Sequence, residues 1–142
     1  MAAVVVAGDV GTKAWARESL ASADRHVVGP LWFRLSFNRG FSFSLSHTLP
    51  TLATVAELIA LAAVTVALFF VASSAAALGF ALIVGGGVAN LVDRLGSARH
   101  GVTDFISVGS FPVFNVADSA ITIGVVVLGV MAVSGRTIWR SR

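Results

Sequence analysis

Three apolar runs, each close to the length of a bilayer-crossing helix, constrain this chain more than any other feature. They are Leu52 to Ala72, Ala75 to about Leu95, and Ala117 to Ser134. About 20 apolar residues in a helix span a hydrocarbon core of roughly 30 Å. A fourth run, over residues 1–21, is interrupted by Asp9, Lys13, Arg17 and Glu18. Asp9 and Lys13 are four apart, so a helix places them on one face as a polar pair. A cleavable signal peptide fits this start badly: its positive leading region is missing, and charges fall inside or after the apolar part. Charged residues make up 12% of the chain and hydrophobic ones 56%, whereas soluble domains carry about 25% charge. The expectation is a mainly α membrane protein, with residues 1–142 forming a single integral membrane domain. Its four transmembrane helices fall at about 1–21, 52–72, 75–95 and 117–134.

The segment between the first two helices changes period. Leu31, Phe33, Leu35 and Phe37 alternate with Trp32, Arg34, Ser36 and Asn38, which reads as a strand. Asn38-Arg39-Gly40 is a turn signal, alternation resumes at Phe41, Phe43 and Leu45, and Pro50 closes the stretch. A small β-cradle or hairpin over about 29–47 is expected to lie at the membrane surface, its aromatics facing lipid or the helix ends. Ser73-Ser74 is so short a joint that helices 2 and 3 form an antiparallel hairpin.

Several functions are excluded early. The chain has no cysteine, so thiol catalysis, disulfides and thiolate metal sites are out. His26, His47 and His100 are far apart, and no metal site is expected. Basic residues are scattered without an aromatic-interleaved stripe, which speaks against nucleic acid and for lipid headgroups as their partners. The RTIWRSR tail suits a cytoplasmic interfacial anchor.

Counting four spans brings the end of helix 1, the strand segment, the end of helix 3 and the Gly101–Asp118 linker to one membrane face. Asn38, Asn90, Asp93, Arg94, Asp104, Asn115 and Asp118 converge there. Two carboxylates that share a proton can activate water for peptide hydrolysis, and like charges at short range force that sharing. Asn115 reads as the N-cap of helix 4, and Asp118 falls in its first turn, where the dipole favours negative charge. Asp104 is then the expected proton holder. Plainer readings stand beside this one. Asp118 alone is a helix cap, Asp104 alone a loop acid, Asp93 and Arg94 an ordering ion pair, and Asn90 and Asn115 helix glue and cap. Glu57 is a snorkelling or helix-bonding residue, or else the proton carrier of a small transporter.

Five ordered blocks narrow the choice. GGGVANLVDR (85–94), VTDFI (102–106) and FPVFNVAD (111–118), with FNRGFSFSL (37–45) and GDVGTK (8–13) before them, resemble the signature blocks of bacterial lipoprotein signal peptidase, signal peptidase II. The resemblance implies a four-helix inner-membrane aspartic endopeptidase with a periplasmic β-cradle. It would cleave prolipoproteins just before the diacylglyceryl-modified cysteine. Asp104 and Asp118 become the catalytic pair. Asn38, Gly40, Asn90, Asp93, Arg94 and Asn115 become supporting or substrate-binding residues, and Asp9 with Lys13 a structural polar pair. No cofactor or metal is implied. The expected partners are lipid-modified signal peptides, membrane lipids and globomycin-type inhibitors, with the enzyme acting as a monomer.

Overall fold

A computed structural model describes residues 1–38, 49–96 and 101–139, with side chains in the second helix described from residue 54 onward. The elements run α1 (Ala2–Ser19), β1 (Arg25–Val28), β2 (Leu31–Asn38), α2 (Leu49–Leu68), α3 (Ser74–Gly96), β3 (Val102–Val108) and α4 (Val116–Val133). Among the described residues two helices, α3 and α4, are long and apolar enough to cross a membrane, with mean hydropathy 2.0 and 2.2. A shorter apolar stretch, Thr54–Leu68, lies in α2. Pro50 stands in the first turn of α2. Its missing N–H costs nothing there, because first-turn amides have no partner inside the helix.

Helix α3 is the hub, and the run Gly85-Gly86-Gly87 explains how. Successive helical residues point about 100° apart, so three in a row face three directions. A Cβ on Gly85 would lie 2.9 Å from the Ala2 carbonyl oxygen of α1. On Gly86 it would lie 2.5 Å from the Ala117 carbonyl oxygen of α4, and on Gly87 3.2 Å from Leu61 of α2. Each glycine thus admits a different neighbour. Gly124 of α4 repeats the device lower down, where a Cβ would meet the Gly79 carbonyl oxygen at 2.5 Å.

The sheet is antiparallel, in the order β1-β2-β3. One expectation changes here. Residues 102–108, read from the sequence as part of a linker, form the third strand. Its sequence VTDFISV is β-branched and aromatic enough for a strand, but it has no clean alternation because six of its seven residues are buried or half-buried. The expected turn at 38–40 and the return strand at 41–45 lie outside the described residues. Among those described, β2 pairs with β1 and β3.

Strict alternation in β2 also fails. Phe33 pairs with Ile106, but Ser36 pairs with Asp104, so β2 holds one residue more than β3 across this step. A bulge shifts every later side chain to the opposite face. Ser36 and Asn38 therefore share the face of Asp104, where strict alternation would have put Leu35 and Phe37.

The sheet is fastened to α1 by an apolar cluster. Ala16, Leu20 and Phe105 are buried, with Phe33, Leu35, Ile106 and Val116 packed on them. Trp15 meets Phe33 edge-on at 5.4 Å between ring centroids. These aromatics face a helix end, one of the two placements expected. A second cluster, of Val71, Ala76, Phe80 and Met131, closes the other end of the bundle.

Candidate active site

The start of α4 positions one carboxylate, and β3 the other. Asn115 is the N-cap of α4, and its side chain accepts the Asp118 N–H at 2.8 Å. Asp118 returns the bond, accepting the Asn115 N–H at 3.2 Å. This capping box answers two amides that the helix itself leaves unpaired. A third, the Ala117 N–H, donates to Asp9 of α1 at 2.8 Å.

The side-chain amide of Asn115 does more than cap. Its Nδ2 donates to Asp104 Oδ1 at 2.7 Å, so one residue joins both carboxylates. The Thr103 carbonyl and Asn90 Oδ1 lie farther from the same nitrogen, at 3.4 and 3.2 Å. Asn38 also hydrogen-bonds Asp104, which follows from the bulge that turned it to this face.

Asn90, on α3, holds Asp118. Its Nδ2 donates to Asp118 Oδ1 at 2.8 Å, while its Oδ1 accepts from Lys13 Nζ at 2.7 Å. An ammonium only donates, so Lys13 obliges Asn90 to present its oxygen, and the amide nitrogen must then face Asp118. Lys13 is itself buried, 2.6 Å from Asp9, its partner one turn earlier. The polar pair expected on helix 1 forms, and it is tied to the site at both ends.

Asp93 sits under this layer. Its Oδ1 lies 2.8 Å from Arg17, its Oδ2 accepts the Thr103 N–H at 2.6 Å, and Lys13 is 3.6 Å away. Arg17 also donates to Thr103 Oγ1 at 3.0 Å. The strand residue just before Asp104 is thus bound through both backbone and side chain. Arg94 does not pair with Asp93. Adjacent helical residues diverge, and Arg94 reaches Glu57 of α2 at 3.1 Å instead. That bond to a neighbouring helix is one of the two roles weighed for Glu57.

Asp104 is buried, with 2% of its surface exposed. Burial, and then the nearby charge of Asp118, push its carboxyl up to about 6 from the ordinary 3.8. Bonds from Asn115 and Asn38 and the charge of Lys13 pull the other way without prevailing. A count of charges gives the same sense. Asp9 is answered by Lys13 and Asp93 by Arg17, and among the described residues no salt bridge reaches Asp104 or Asp118. The second carboxylate makes the ionised form of Asp104 costlier still.

The structure therefore brings together Asn38, Asn90, Asp93, Asp104, Asn115 and Asp118, with Asp9 and Lys13 beneath them. Arg94 stands beside this group, facing α2, and Gly40 lies outside the described residues. Among the described residues, no group of three or more histidine, cysteine or acidic side chains is placed to hold a metal. Sequence reading missed Arg17 and Thr103 as members of the network. A signal for Arg17 existed: Asp9, Lys13 and Arg17 recur every four residues, one polar stripe on α1.

Comparison with known proteins agrees with this picture. The family model described as signal peptidase (SPase) II matches residues 1–134. A lipoprotein signal peptidase of Rhodococcus jostii is 36% identical over 146 residues, covering 95% of this chain and 71% of its own. One from Chlorobium phaeobacteroides is 38% identical over 144 residues, covering 89% of each. A solved bacterial membrane enzyme superposes with a TM-score of 0.80 at 26% identity, over 94% of this chain and 85% of its own.

Proposed function

The chain belongs to the signal peptidase II family, and on that premise we propose that it removes signal peptides from lipid-modified prolipoproteins by water activated between Asp104 and Asp118. Membership makes it an aspartic-type peptidase and a bacterial membrane protein. The finer reading is ours. All four helices span the inner membrane, and the site lies near its outer face. The cut falls just before the diacylglyceryl-cysteine, and the enzyme works as a monomer that globomycin-type compounds inhibit.

The observation that carries this reading is the Asn115 bridge, one amide that binds Asp104 at 2.7 Å while its residue caps the helix bearing Asp118. It supports a dyad whose partners are held in fixed relation. We assign the proton to Asp104, which is buried and pushed up to about 6. Asp118, in the first turn of α4 and bonded by Asn90, is assigned the part of the base. As a water oxygen attacks the scissile carbonyl carbon, Asp118 takes the water's proton and Asp104 gives its own to the carbonyl oxygen. When the C–N bond breaks, Asp118 passes its proton to the leaving nitrogen and Asp104 recovers one from the hydroxyl. Atoms and charge balance, and the dyad returns to its starting state. The substrate's acyl chains, dissolved in the bilayer, would set the register.

The test is cleavage of a lipidated prolipoprotein by the purified protein in detergent. Asp104→Asn and Asp118→Asn should each fold and lose cleavage by about three orders of magnitude or more, since general acid–base help alone is worth about 10²–10⁴. A wild type that cleaves while either variant keeps most of its rate would refute the pair.

A further inference from the structure

Helix α2 carries one charged residue, Glu57, in the sequence LPTLATVAELIALAAVTVAL. A carboxylate in so apolar a helix is costly unless something answers it. Its partner is Arg94, in the last turn of α3, with Nε 3.1 Å from Glu57 Oε2. Arg94 directly follows Asp93, whose own bonds go to Arg17 and Thr103. The pair is therefore a link from α2 to the edge of the candidate site.

Arg94 is also only partly satisfied. Its Nη1 is sealed from solvent and has no hydrogen-bond partner among the described residues. A buried donor without an acceptor is uncommon, because it forfeits its hydration for nothing. Arginine presents its donors in a rigid planar fork. Fixing Nε on Glu57 therefore fixes the direction of Nη1 as well.

We propose that Glu57 is a positioning residue for substrate binding: it orients Arg94 so that the unpartnered Nη1 meets an acceptor on the incoming peptide, such as a backbone carbonyl. This deepens the peptidase reading above and depends on it. The acid acts through Arg94 and touches neither the reacting atoms nor the water. Losing it should weaken substrate capture and leave the chemical step alone. It also gives Glu57 a role that needs no proton transport.

The experiment is steady-state cleavage of a lipidated prolipoprotein peptide by the full chain in detergent, with KM and kcat read separately. Glu57→Ala should raise KM about tenfold, the scale of one misdirected hydrogen bond, with kcat within about twofold. Glu57→Gln keeps an acceptor for Nε and should restore KM to within about threefold. In an Arg94→Met background, Glu57→Ala should do nothing further. A Glu57→Ala protein whose KM stays within twofold of wild type overturns the proposal, as does an equal KM rise in the Arg94→Met background. If Glu57→Ala does not fold, Glu57→Asp decides, because it keeps the charge but draws the carboxylate back from Arg94 Nε: wild-type Tm with a raised KM upholds the role, and wild-type Tm with wild-type KM overturns it. A wild type that cleaves nothing removes the peptidase reading and this inference together, whereas cleavage with unchanged KM removes the inference alone.

Discussion

The two ends of the helix bundle are built on opposite principles. At the site end, Asp9, Lys13, Asn90, Thr103, Asp104 and Asn115 are buried, and bonds of named direction hold them. At the other end, Val71, Ala76, Phe80 and Met131 pack together, with Ile138 and Val127 around them. There the chain after α4 folds back: the Ala72 N–H donates to the Ile138 carbonyl at 2.8 Å, and the Trp139 ring lies tilted against Phe80, 5.6 Å between centroids. Apolar packing is non-directional and degrades gradually when a side chain is trimmed. A buried polar network fails abruptly, because each lost partner strands another group. The molecule concentrates that risk where chemistry needs fixed protons, and keeps a tolerant anchor at the far end.

The most severe way to break the contrast is Lys13→Met. It leaves Asp9 buried and unpaired and frees the Asn90 amide to rotate away from Asp118. Stability should fall by about 3–5 kcal/mol, the cost of halving a buried pair, with cleavage abolished. The double variant Asp9→Leu/Lys13→Met should regain much of the thermal stability and little of the activity, since Asn90 still lacks its orienting donor. Thermal unfolding beside the cleavage assay reads both.

Next comes Gly86→Ala. Its Cβ would meet the Ala117 carbonyl at 2.5 Å, so α3 and α4 must part beside the Asn90–Asp118 bond. Cleavage should drop about 10²-fold, as small misplacements of catalytic groups do. Gly124→Ala makes a similar clash, against Gly79, farther from the dyad. It should cost comparable stability and less activity. Equal activity losses would mean that the helices move as one rigid unit.

A milder probe is pH. Asp104 is raised when folded, so between about pH 4 and 6 the folded state binds more protons than the unfolded state. Stability from this group is therefore greatest at low pH and declines as pH rises through about 6, by up to about 3 kcal/mol. Asp104→Asn should flatten that slope in Tm. In the free enzyme, kcat/KM should fall from about pH 6 upward, as Asp104 gives up the proton it must donate.

The smallest effect belongs to the far end. Trp139→Ala removes one half-exposed ring from Phe80. It should lower stability by about 1 kcal/mol and leave kcat within about twofold. A large activity loss there would show the two ends to be coupled.

Much was legible in the sequence because the signals were local. Helix positions came from apolar length, the Asp9–Lys13 pair from its four-residue spacing, and the Asn115 cap with Asp118 in the first turn from residue type and order. Those properties live within a few residues of one another, where backbone geometry alone decides who meets whom. The expectation that the two aspartates come near each other also arose from the sequence, by counting spans. What it left undecided needed partners distant along the chain. Strand β3 showed no period because both its faces are covered. The bulge that aims Asn38 at Asp104 has no mark in the alternation of residues 31–38. Arg94 stands next to Asp93 in sequence yet binds Glu57, 37 residues earlier, because neighbouring helical side chains diverge and α2 supplies the nearer acid. Lys13 keys Asn90 only because Gly85 lets α1 lie against α3. A buried polar group takes whichever partner packing brings within about 3 Å, and packing is settled by the whole fold.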